Sequence, residues 1–373
     1  SYKTGASFFL LSRTIGSGVR LYLVTLILQH LIFDAWNVPF FVTSSVTLFL
    51  IWLYTHRSGI KTIVWTDTLQ TICLITALIL LVVQVSKQLN FESGSFISTI
   101  ANYKHSTIFV FDDWHSKQNF FKQFFSGIFI AIAMTGLDQD MMQKNLTCKT
   151  LSDAKKNMYW YGISFVPLNL IFLTLGAMLL MLASQNNIAL PASSDDILPM
   201  FATQHLGPLV TLLFVIGIIA AAFASSDSAI ASLTTSFAVD ILNVQNDEAK
   251  KAERKRKLTH IGISVLFIII MLIFKILNNK SIIDAIYIIA SYTYGPLLGL
   301  FGFGLFTKLK VNDKLVPIVA IAAPIFCFVL NLITTRYFLF SFGYELLIIN
   351  GLITFSGMYL LAIITKKSWK LST

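Results

Sequence analysis

The chain has 373 residues and a net charge of +10; 55% of its residues are hydrophobic and only 12% charged, giving a mean hydropathy of +0.74. Soluble domains carry about 25% charged residues, and one aqueous core cannot hide this much apolar surface. The basic residues sit in short segments between apolar runs, which argues for a membrane protein and against a nucleic-acid binder.

In chain order, ten apolar runs predict membrane-crossing helices over 14–33, 38–56, 61–86, 120–142, 158–183, 208–242, 258–277, 282–307, 314–334 and 343–365, each near or above the ~20 residues a span requires. Cys73, Cys148 and Cys327 lie far apart, with no metal spacing or disulfide framework. Ser1 opens the chain with no signal peptide before the first apolar run, as expected of a truncated or processed chain.

Placing the N-terminus in the cytoplasm and crossing ten times puts 21 of the 28 basic residues inside and 7 outside. Arg13 and Arg20 count in the first inside segment, Lys144 in a later one. Both termini are then cytoplasmic, as the positive-inside rule requires of a multi-pass plasma- or inner-membrane protein. The long outside loop 87–119 carries Phe109, Phe111, Asp112, Asp113 and Trp114 and predicts a lid or a short surface helix. The charge run at 248–257 reads as a solvated interfacial segment.

Polar groups inside spans are costly and face the protein interior or a water-filled cavity. Three segments carry them. In KTIVWTDTLQ (61–70), Asp67 is either an interfacial acid partnered by Lys61 or a cation ligand near the cytoplasmic side. In AAAFASSDSAIASLTTSF (220–237), Ala221, Ala224, Ser225 and Ser228 share a helix face. There, small residues and hydroxyls either pack helices together and bond back to their own carbonyls or offer oxygens to a hard cation. In MTGLDQDMMQKNL (134–146), Gly136, Asp138, Gln139 and Asp140 fit either a broken helix lining a cavity or a plain helix end. No HExxH, phosphate loop or convergent catalytic set accompanies them, so no enzyme is expected.

The stretches SGIKTIVWTDTLQ (58–70), GLDQDMMQKNLTCKTLSDAKKNM (136–158) and IAAAFASSDSAIASLTTSFAVDIL (219–242) resemble the sodium:solute symporter family in order and spacing. The resemblance implies an all-α integral membrane protein with a leucine-transporter-type inverted repeat, here lacking its first two core helices. It implies one transmembrane domain over 1–373, with an incomplete first repeat in 1–90, a second in about 120–307 and additional helices in 314–365. The family's main sodium site falls on Ala221 (through its carbonyl), Ala224 and Ser225, with one hydroxyl missing at Ala224. A second sodium site falls on Asp67, Asp227 and Ser228, where Asp227 replaces a hydroxyl.

For the solute, the resemblance points to Ala131, Met134 and Gln139. Ala131 and Met134 stand where sugar carriers have an Asn and a gating Tyr, which argues against a glucose-like pocket. The implied activity is symport of a small organic solute (sugar acid, sugar, amino acid or carboxylate) coupled to sodium by alternating access. A transporter-like sensor domain is the alternative. The solute, sodium and the lipid bilayer are the implied partners, with no nucleic acid.

Overall fold

A computed structural model describes residues 1–55, 60–91, 95–191, 194–277, 282–338 and 340–371, and within the helices the side chains at all but 54–55, 60–63, 66, 222, 224–225, 277, 282–287 and 366–371. Among the described residues thirteen α-helices follow one another: α1 (Tyr2–Leu28), α2 (Phe40–Thr55), α3 (Ile60–Leu89), α4 (Phe96–Ala101), α5 (Phe120–Ala131), α6 (Gln139–Leu146), α7 (Leu151–Gln185), α8 (Ile197–Met200), α9 (Pro208–Ser236), α10 (Ala249–Leu277), α11 (Ile282–Phe306), α12 (Val316–Phe338) and α13 (Leu346–Leu371).

Among the described residues, eight helical stretches are long and apolar enough to cross a membrane. A ninth span forms if α5 and α6, which meet at a 60° bend, are counted together. The tenth expected span, 38–56, corresponds to α2, a helix of only 16 residues. At 1.5 Å per residue it reaches ~24 Å, less than the ~30 Å hydrocarbon core. Pro39 stands immediately before it, and Gln29 closes the preceding turn by donating to Val38 O at 2.7 Å and Asp34 Oδ1 at 2.6 Å.

The first span begins earlier than its apolar run. α1 starts at Tyr2, so Arg13 joins Arg20 within the helix. Small side chains (Ser12, Ser17, Gly18) are buried along this helix, and a Cβ at Gly18 would lie 2.7 Å from Ile270 of α10.

Packing is layered around α1 and α9. Val19 and Leu21 of α1, Leu48 of α2, Ile230 of α9 and Phe267 of α10 form one buried cluster. Leu78 of α3, Leu182 of α7, Phe201 just after α8 and Phe214 of α9 form a second. Phe9, Ala133, Tyr294 and Leu347 tie α1 to the α5–α6 break, α11 and α13. Outward faces remain apolar: Phe165, Leu173, Leu212, Ile325 and Ile363 are exposed, the arrangement that lipid accommodates.

The segment 95–119 holds the short α4 and then folds onto the start of α5. Buried Asn119 accepts from the Phe121 N–H at 3.1 Å and donates to Phe111 O and Asp113 O. The charge run after 247 is solvent-facing and internally paired, Lys255 lying 2.6 Å from Asp247 and Lys257 2.7 Å from Glu253. The Lys255 ammonium holds the Asp247 carboxyl below its ordinary range.

Candidate functional site

The site grows from the break between α5 and α6. After Ala131 the backbone makes one wider turn of π geometry (Ile132–Gly136), and Asp138 restarts the helix. Its Oδ1 accepts the Asp140 N–H at 2.8 Å, an N-cap that satisfies an otherwise orphaned donor. Asp138 is 1% exposed at its side chain, and its Oδ2 meets Arg13 Nη1 of α1 at 2.7 Å.

From there a line of charge crosses the bundle. Arg13 Nη2 lies 3.4 Å from Asp140 Oδ2, and one turn further along α6 the Lys144 ammonium lies 3.2 Å from the same oxygen. Lys144 Nζ also donates to Asp67 Oδ2 of α3 at 2.8 Å and to Ser228 Oγ of α9 at 3.0 Å. Oxygens from three helices thus converge on one cation position. The other Asp67 oxygen, Oδ1, is buried without a hydrogen-bond partner.

The polar stretch of α9 divides between its two expected uses. Ser232 donates back to Ala229 O and Thr235 to Ala231 O, the local bonding that packs a hydroxyl into a helix. Ser228 instead faces Lys144 across helices. Asp227 is fully buried, its Oδ1 accepting the Ser228 N–H at 2.5 Å, and Ser226 is 2% exposed.

The structure therefore brings Asp67 and Ser228 to one point and buries Asp227 beside Ser228. Ala221 is half-buried on the same helix, while the side chains of Ala224 and Ser225 lie outside the described residues, as does that of Lys61. The solute residues are dispersed. Ala131 is exposed at the end of α5; Met134 lines a small cavity with Arg13, Arg20 and Tyr294; Gln139 lines a separate cavity of about 720 Å³ with Tyr2, Asp240 and Leu297.

Sequence reasoning passed over Arg13 and Lys144, counting both as loop charges. The i,i+4 spacing of Asp140 and Lys144 directly after a helix break was the available signal.

The pattern of the sodium:solute symporter family matches residues 30–314. A sodium/sialic acid symporter of Proteus mirabilis is 24% identical over 69% of this chain and 53% of its own length. One from Aliivibrio fischeri is 24% identical over 73% and 55%, and a sodium-dependent multivitamin transporter of Oryctolagus cuniculus is 24% identical over 81% and 48%. The chain thus spans about half the length of these relatives. The solved structure of a Na⁺-coupled sialic acid symporter in a substrate-bound, outward-open state superposes with a TM-score of 0.78, covering 97% of this chain and 74% of that one at 20% identity. Fold and site define a multi-pass membrane protein of the leucine-transporter type, with one span broken beside a partly buried cluster of charges. Within that class, the chain belongs to the sodium:solute symporter family.

Proposed function

We propose that the protein is a sodium-coupled symporter for a small carboxylate-bearing organic solute, working by alternating access. The observation that carries this reading is the convergence of Asp67 Oδ2, Asp140 Oδ2 and Ser228 Oγ on one cation position, from three helices. Carboxylate and hydroxyl oxygens are the ligands a hard monovalent cation takes. Buried ionisable groups in spans are kept for ion or substrate pathways.

In this reading sodium has two places. One is at α9 through the Ala221 carbonyl and Ser225, and the other is at Asp67, Asp227 and Ser228. At the second place Lys144 is a tethered cation that a sodium ion displaces. The solute binds beside the α5–α6 break, on either side of which Met134 and Gln139 line two separate cavities. Arg13 and Arg20 beside Met134 favour an anionic solute. The names of the relatives agree with this, since sialic acid is a carboxylate.

In this reading these groups do three things. Asp138 and Arg13 hold the break in place, Asp67 and Ser228 offer oxygens, and Lys144 exchanges partners as the ion arrives. Sodium binding biases the bundle between its two open forms, and each charge moved across the membrane adds ~2.3 kcal/mol per 100 mV.

The test is uptake into proteoliposomes containing the product of the complete gene, with sialate, lactate, an amino acid and glucose as solutes. Uptake of a carboxylate driven by an inward sodium gradient, and abolished when potassium replaces sodium, is the expected result. Uptake of every solute indifferent to sodium would overturn the proposal.

A further inference from the structure

At the end of the bundle where α5 begins, opposite the end reached by Lys144 on α6, a second pair of opposite charges stands without hydrogen-bond partners. Lys122 is the third residue of α5, 8% exposed, and its Nζ is buried with no hydrogen-bond partner. It lies over the Phe340 ring at 4.2 Å and near the Trp114 ring at 5.8 Å. Glu345, in the turn before α13, likewise has a buried Oε1 with no hydrogen-bond partner. Both side chains line one cavity of about 580 Å³, whose remaining walls are the rings of Trp114, Phe121, Phe125, Phe340 and Phe342.

The energetics leave this arrangement incomplete. Removing an ammonium from water is costly, and cation–π contact returns only a part of that cost. A buried carboxylate oxygen without a donor carries a similar penalty. The two groups share a cavity without forming an ion pair, because each is held by its own segment. Asn119 fixes the first turn of α5 through its N-cap. Gly343 makes room for the carboxylate, since a Cβ there would lie 2.8 Å from Glu345 Oε2.

We propose that this cavity binds a small zwitterion with an apolar side chain, an amino-acid-like ligand, whose carboxylate pairs with Lys122 and whose ammonium pairs with Glu345. The aromatic rings offer the face on which the apolar side chain packs. A ligand carrying only one charge leaves the other buried group unpaired, so the cavity discriminates by the full penalty of that group. The site is separate from the proposed sodium and solute positions, and the inference is independent of them.

The test is equilibrium binding of L-phenylalanine to the purified product of the complete gene in sodium-free potassium buffer, followed by calorimetry. Hydrocinnamate (carboxylate only) and phenethylamine (amine only) are the comparison ligands. L-Phenylalanine is expected to bind at least tenfold more tightly than either, with Lys122→Met and Glu345→Gln each weakening it tenfold or more. Glu345→Gln should narrow its advantage over hydrocinnamate, and Lys122→Met its advantage over phenethylamine. Thermal melting of each variant identifies any that fail to fold, in which case the three-ligand comparison on the unaltered protein decides. Equal affinity for all three ligands, no binding of the zwitterion, or binding untouched by either substitution in a folded variant would overturn the proposal.

Discussion

Asp67 and Lys144 are 77 residues apart in sequence and joined by a 2.8 Å contact between helices α3 and α6. The ammonium thereby occupies a position that oxygens from three helices surround. Lys144→Met leaves Asp67 with no counter-ion and Asp140 with Arg13 alone, and a mobile cation is the remedy available to Asp67. The melting temperature of this variant should therefore rise with sodium chloride more steeply than that of the unaltered protein, against equimolar choline chloride. A ligand present at 100 times its dissociation constant adds about 2.7 kcal/mol of stability. Lys144→Arg, which keeps the charge, should show no such gain. Identical salt responses for all three proteins would remove Lys144 from the cation site.

Asp67→Asn tests the same contact from the other side. It removes the charge that pairs with Lys144 and replaces one of the two carboxylate oxygens with an amide NH2. Sodium-dependent uptake should fall at least tenfold, with the apparent sodium affinity weakened before that of the solute. Ser228→Ala removes one neutral ligand oxygen, and its effect should be smaller in the same direction. Uptake unchanged in both variants would detach these residues from ion coupling.

Arg13 bridges Asp138 and Asp140 and so holds α1 against the break in the α5–α6 span. Removing one partner of a buried pair typically costs about 3–5 kcal/mol, because the remaining charge is stranded. Arg13→Met should lower the melting temperature markedly, whereas Arg13→Met combined with Asp138→Asn should recover part of the loss. A double variant no more stable than the single one would show that Arg13 acts through packing alone.

The membrane class was legible because every long apolar run announces its own helix without reference to tertiary contacts. Gly136 and the capping Asp138 marked the place where the fourth span changes course, but left a broken span and a plain helix end as equal readings. Other features depend on approach in space. Arg13 and Lys144 resemble loop charges until α1 is seen to begin at Tyr2 and α6 to turn inward after its 60° bend. Lys61 was the partner that sequence proximity offered Asp67, while Lys144 reaches it only through the fold. Among the hydroxyls of α9, sequence does not say that Ser232 bonds into its own helix while Ser228 bonds across to another.

Asn350 of α13 performs a repair that only the assembled bundle displays. Pro296 interrupts α11, and, lacking an N–H, it cannot donate to the carbonyl four residues earlier, that of Tyr292. Asn350, fully buried, donates Nδ2 to Tyr292 O at 3.0 Å and to Ser291 O at 3.1 Å. Gly295 makes the approach possible, because a Cβ there would sit 2.4 Å from the Asn350 side chain. Asn350→Leu keeps the volume but leaves both carbonyls without this donor in a low-dielectric interior, at a cost of about 1–3 kcal/mol for an unsatisfied group. Pro296→Ala restores an N–H to α11 and should offset part of that cost, so the double variant should melt above Asn350→Leu alone. Independent, additive effects of the two substitutions on melting temperature would show that the amide does not serve the carbonyl the proline leaves free.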